Sequence, residues 1–154
     1  MKLIIAPQKI TKKIKPIIFL AGSIEMGQAE KWQDKIIEEL KNYNLTILNP
    51  RRKKWNTKES STIKDKEFKE QVEWEFKGLS LSDTIILNFD PKSKSPISLL
   101  ELGLFASHKK IICCCPKEFW RYGNVEFICK KFKIPLYTNI KKMISDLKLK
   151  IIKK

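Results

Sequence analysis

The chain has 154 residues, a formal charge of +15 and 42% hydrophobic residues spread along its length. That length holds one domain with a real core, and the charge alone draws such a surface weakly and nonspecifically to nucleic acid. The longest uninterrupted apolar run, 17–22, is too short to cross a bilayer, so a soluble, cytoplasmic protein with no membrane attachment is expected.

Residues 1–15 read as a basic extension and 148–154 as a basic tail. Lysines otherwise occur in nearly every segment, with denser patches at 9–15, 51–54 and 148–154. No basic motif interleaved with aromatics accompanies them, so a solvated, lysine-biased surface is the simpler reading.

The first apolar run, 17–21, is expected as a strand. A helix over 28–43 follows, with Trp32, Ile36, Ile37, Leu40 and Tyr43 on one face. A strand at 45–48 leads to a helix over 66–81, in which Phe68, Val72, Phe76 and Leu79 define the inward face. The next strand, 84–89, precedes a helix at 97–107 that is apolar almost all round and therefore predicted to be buried, with Ser95 and Pro96 as cap and first turn.

A strand at 110–115 carries Cys113, Cys114 and Cys115, whose side chains alternate faces; with the isolated Cys129 they match neither a disulfide framework nor metal-ligand spacing. Reduced, buried thiols and no metal or organic cofactor are expected. Helices near 124–131 and 140–149 flank a last strand at 134–137. Five short apolar runs alternating with helices predict a doubly wound, three-layer α/β sandwich with a mainly parallel five-stranded sheet. Ligands of such sheets sit beyond the carboxyl ends of the strands, here 22–28, 49–55, 90–95 and 116–123.

Two carboxylates stand in apolar settings. Glu75 lies on the inward face of its helix, and Glu101 is the one acidic residue of 97–107. Burying an unpaired carboxylate is costly, so each requires a partner or a purpose. Structural ties to Arg51, Arg52 or a backbone amide are one answer. A catalytic pair is the other, with Glu101 kept ionised by the nearby helix N-terminus as a nucleophile and Glu75 managing the proton, the logic of retaining glycosyl transfer. Gly22 and Ser23 end the first strand, where glycine permits close approach of a ligand; alone the pair is equally a simple turn. Trp55 suits stacking on a base or the edge of the core. Asn124 is either a helix cap or a pocket residue. Asp83 and His108 read as structural.

Phe19-Leu20-Ala21-Gly22-Ser23-Ile24, Leu48-Asn49-Pro50-Arg51-Arg52, Glu73-Trp74-Glu75 with Leu79 and Ser82-Asp83, Pro96-Ile97-Ser98-Leu99-Leu100-Glu101-Leu102-Gly103 and Tyr122-Gly123-Asn124-Val125-Glu126 occur in this order. Together, over about 16–137, they resemble the nucleoside 2-deoxyribosyltransferase-like family. The resemblance implies a flavodoxin-like domain in which Glu101, of the Glu-x-Gly motif, attacks C1′ of a 2′-deoxynucleoside or deoxynucleotide, expelling the base. A second base or water then resolves the deoxyribosyl-enzyme. It places Glu75 as the upstream acid, Ser23, Arg51 and Arg52 as candidate phosphate contacts and Asn124 as a pocket position; Gly22, Trp55, Asp90 and Ser95, in the segments beyond the strand ends, complete the candidate substrate-binding set. It also implies a homodimer or higher homo-oligomer whose neighbouring subunit completes the pocket.

Three positions depart from the pattern: Phe19 where some members carry Tyr, Glu75 where relatives have Asp, and Glu25 where phosphate-specific hydrolases have Arg. Tyr122 or a water would replace the missing hydroxyl. A non-catalytic nucleotide- or nucleic-acid-binding protein on the same fold, or a glycohydrolase of a related N-riboside, are the competing readings.

Overall fold

The computed structural model describes residues 1–11, 13–24, 31–52 and 62–152, the last without its side chain. Trp55, Glu25 and the start of the helix predicted over 28–43 lie outside them. Within them six strands and five helices alternate: β1 (Lys2–Ile5), β2 (Ile17–Gly22), α1 (Trp32–Leu40), β3 (Thr46–Asn49), α2 (Lys66–Leu81), β4 (Thr84–Asn88), α3 (Pro96–Phe105), β5 (Ile111–Cys114), α4 (Tyr122–Phe132), β6 (Leu136–Tyr137) and α5 (Ile140–Ile152).

The strands form one sheet in the order β1-β3-β2-β4-β5-β6, and every pairing is parallel. This is the flavodoxin-like arrangement, with the chain reversing its direction of travel between β2 and β4. The expected five strands become six. Lys2–Ile5 pairs with β3 at the sheet edge, where the sequence reads as a basic extension. An edge strand buries little, and only Ile4 of its four residues is fully covered, so no apolar run announces it.

Alternating side chains feed two cores. Ile17, Phe19 and Ala21 face α2, α3 and α4, together with Trp74, Leu102, Phe105, Val125 and Cys129. Ile18 and Leu20 face α1 and α5, together with Trp32, Ile36, Leu40 and Met143. The cysteines obey the same rule, with Cys113 and Cys115 on the first side and Cys114 on the second. All four thiols are free and buried, and burial pushes Cys114 up to about 11 and Cys115 up to about 12.

Two predicted faces are corrected. α2 buries Gln71, Trp74, Gly78 and Leu79, leaving Val72 and Phe76 exposed. The reason is Phe19: a Cβ on Gly78 would lie 2.6 Å from its ring, so the glycine edge, not the phenylalanine edge, meets the sheet. α3 buries Ser98, Leu102 and Phe105, but Ile97, Leu100 and Leu104 are 59%, 66% and 52% exposed. Its apolar residues are therefore divided between the core and an exposed stripe.

Asp65 caps α2, its carboxylate accepting from Phe68 N at 3.0 Å. At the other end Lys110 Nζ donates to the carbonyls of Leu79 and Ser80 at 2.7 and 3.1 Å, as suits a cation at a helix C-terminus.

Candidate functional site

The β2–β4 junction is built by close backbone approach. Gly22 has φ +138°, and a Cβ there would lie 2.1 Å from the carbonyl oxygen of Asn88, so no other residue fits. Ser23 N then donates to that same carbonyl at 2.9 Å. The Ser23 hydroxyl accepts from Asp90 N at 2.8 Å and lies 2.5 Å from the Ser95 hydroxyl, which in turn lies 2.5 Å from that of Ser93. Ser95 is indeed the residue before Pro96 and α3, but it sits in the left-handed region at φ 46° and its side chain caps nothing. Its hydroxyl joins the buried serine cluster instead. Ser93 is the member that sequence reasoning missed; two serines flanking a lysine before a helix-opening proline are its only signal.

Glu101 stands in the second turn of α3, and Glu75 in the third turn of α2. Burial and, after it, the charge of Glu75 push the Glu101 carboxyl up to about 8. The sequence-based expectation of a dipole-held carboxylate is therefore overturned. The macrodipole fades within the first turn, whereas desolvation and a second carboxyl act directly on Glu101. Glu75 is raised too, by burial, and this is opposed by a hydrogen bond from Gln71 and by the charge of Arg52. The two carboxyls do not easily ionise together, and near neutrality Glu101 is the one that keeps a proton.

Gln71, also missed in the sequence, anchors Glu75. Its Nε2 donates to Glu75 Oε1 at 2.7 Å and to the Pro50 carbonyl at 3.0 Å, while its Oε1 accepts from Arg52 Nε. Arg52 also donates from Nη2 to the Glu67 carbonyl at 3.1 Å. The neighbouring Arg51 turns to the opposite side of the sheet: its Nη1 lies 3.4 Å from Gln33 Oε1 on α1, and burial lowers its pKa while Asp34 offsets this. The consecutive arginines thus serve different faces, as consecutive side chains leaving a strand do.

A sequence model of the family described as nucleoside 2-deoxyribosyltransferase like matches residues 15–119, more than half of the chain. The chain belongs to that family. The matched span contains β2, the two arginines, both carboxylates and the serine cluster, and its name describes glycosyl transfer involving nucleosides. No curated protein matches the chain.

The remaining predicted positions of this deoxyribosyltransferase-like chain separate into three places. Asn124 is exposed within α4, which begins two residues earlier than expected, and so it is not the cap. It lines a groove of about 320 Å³ with Leu99, Gly103, Trp120 and Arg121. Gly103 of the Glu-x-Gly motif borders open space, since a Cβ there would meet nothing within 4 Å. Tyr122 lines a different cavity, with Glu126, Cys129 and Lys130, away from that groove. Asp90 accepts from Lys92 N at 2.9 Å and borders a small cavity with Trp32, Lys35 and Asn88.

Phe19 is wholly buried and packs 6.1 Å from Trp74, centroid to centroid; it is a core residue. Asp83 is structural, its Oδ2 accepting from Ile17 N at 2.8 Å. His108 rests against Phe105 at 5.2 Å. Among the described residues no helix is long and apolar enough to cross a membrane.

Proposed function

We propose that the chain cleaves or exchanges the N-glycosidic bond of a 2′-deoxynucleoside or deoxynucleotide through a covalent deoxyribosyl-Glu101 intermediate. The observation that carries this reading is the coupling of Glu101 to Glu75, which gives the site one nucleophile and one proton. The proton that burial and the charge of Glu75 hold on Glu101 first passes to Glu75, and a Glu101 oxygen then forms a bond to C1′ as the C1′–N bond breaks, its electrons going to the base nitrogen. Glu75 gives its proton to that base. In the second half, an acceptor base or water attacks C1′, Glu101 leaves as carboxylate and the acceptor's proton returns to Glu75. The cycle needs no group beyond these two carboxyls and the acceptor.

The serine cluster at Ser23 and Ser95 supports binding of sugar or phosphate oxygens beside Gly22, with Arg52 supplying positive charge on the same side and Arg51 on the other. Asp90, Asn124 and Trp55 complete the substrate-binding set of the proposal. A second copy of the chain is the proposed occupant of the apolar stripe on α3. Ile97, Leu100 and Leu104 are exposed on the helix that carries Glu101, beside the groove that Gly103 leaves open. Burying that stripe in a homodimer or higher homo-oligomer also brings a neighbouring subunit toward the pocket.

The test is a panel of deoxynucleosides, ribonucleosides and their monophosphates, with and without an acceptor base. Base release from deoxy substrates by the wild type, and none by Glu101→Gln, is expected. Equal release by both proteins would end this reading, and release confined to ribosides would reassign the sugar. The singly protonated pair is the active form, so the rate should fall at alkaline pH as the last proton leaves near 8.

A further inference from the structure

We propose that Gln71 is a positioning residue that determines which oxygen of Glu75 carries the proton. The proposal deepens the reading above and rests on it for its catalytic meaning. The orientation of a side-chain amide is often ambiguous, but here its partners decide it. The Pro50 carbonyl only accepts and the Arg52 guanidinium only donates, so Gln71 must turn its nitrogen to the first and its oxygen to the second. The remaining N–H of that nitrogen is then committed to Glu75 Oε1. An oxygen that accepts from an amide holds no proton of its own along that direction. Oε1 therefore serves as an acceptor whether Glu75 is ionised or not, and Oε2 is left to take and release the proton.

The anchorage has two ends. Arg52 is itself fixed by the Glu67 carbonyl in the first turn of α2, and Gln71 lies one turn before Glu75 on the same helix, the spacing at which such side chains meet. Arg52, reached from the end of β3, is the charge that acts on Glu75, and Glu75 in turn faces Glu101 of α3, on which its own charge acts. Arg52 favours the ionised form and Glu101 opposes it. Gln71 couples the first to Glu75 and fixes its geometry against the second. A glutamine with both nitrogen hydrogens and its oxygen engaged on a buried helix face is a costly choice if packing alone were required.

Removing the amide withdraws a donor from Glu75, so its carboxyl should protonate at higher pH. The experiment is a pH titration of the full chain labelled with ¹³C at glutamate carboxyls, with Glu101→Gln used to distinguish the two resonances, alongside the pH profile of base release. In Gln71→Met the Glu75 midpoint should rise by about one pH unit, and the acid limb of the activity profile should move up with it. Gln71→Glu, which matches the wild type in size and keeps an acceptor for Arg52, should raise it further by placing a like charge beside Glu75. Unmoved midpoints in both variants would overturn the proposal, as would failure of both variants to fold, which would make Gln71 a structural residue. A shifted midpoint in a chain that releases no base would leave the Gln71 assignment standing and remove the proposed function. Base release with unmoved midpoints would do the reverse.

Discussion

Replacing Glu101 by Gln should stabilise the chain at alkaline pH, and the size of the effect follows from the site. The carboxyl titrates near 8 in the fold against an ordinary value of 4.5. Between these values the folded state binds more protons than the unfolded state, so stability falls as pH rises through that window. The full penalty for ionising Glu101 is about 5 kcal/mol at 1.36 kcal/mol per pH unit. Partial exposure and relaxation of the surroundings reduce this to roughly 2–3 kcal/mol in practice. Gln keeps the shape and cannot ionise, so it escapes the penalty. Below the ordinary value both proteins carry a neutral side chain and should differ little. The assay is urea unfolding of wild type and Glu101→Gln at about pH 4 and about pH 9, comparing the change in stability between the two conditions so that other titrations cancel. At the alkaline end the variant should also melt roughly 5–10 °C above the wild type, given about 2–4 °C per kcal/mol for a chain of this size. Parallel pH dependences for the two proteins would refute a Glu101 desolvated beside Glu75.

Two further outcomes follow from packing. Gly78→Ala should cost about 1–3 kcal/mol by forcing a methyl into the Phe19 ring, and Phe19→Leu in the same chain should recover part of the loss, measured by a double-mutant cycle in urea; additive losses would contradict the contact. Leu100→Asp should convert the proposed oligomer into monomer in light scattering, because it places a charge in the centre of the α3 stripe; a wild type that is already monomeric at micromolar concentration would dismiss that interface.

The alternation of strands and helices was legible because four of the six strands are interior and their apolar runs stand out between helices, while the edge strand β6 lies in the short apolar run 134–137. β1 was not legible, since an edge strand with one fully covered residue carries almost no hydrophobic signal. On α2 the helical period fits two overlapping faces that share Leu79. The choice between them depends on Gly78 admitting the Phe19 ring, a fact of tertiary packing. The apolarity of α3 was read correctly as composition and wrongly as burial, because sequence does not say which surface an apolar stripe will meet. Glu101 and Glu75 stood out as acids among apolar residues. Gln71 did not, since a neutral amide is unremarked on a helix until its three partners are in place, although its spacing four residues before Glu75 was the available cue. The raised pKa of Glu101 was also beyond sequence: it results first from burial and then from the approach of Glu75, 26 residues earlier in the chain and on another helix.

The central claim is a covalent bond between Glu101 and the sugar, and mass spectrometry tests it most directly. The wild type, quenched in acid during turnover of a deoxynucleoside and digested, should yield the peptide bearing Glu101 with the added mass of one 2-deoxyribosyl group. The adduct should be absent from Glu101→Gln. Base release by the wild type with no such adduct, or an adduct on another residue, would contradict the account.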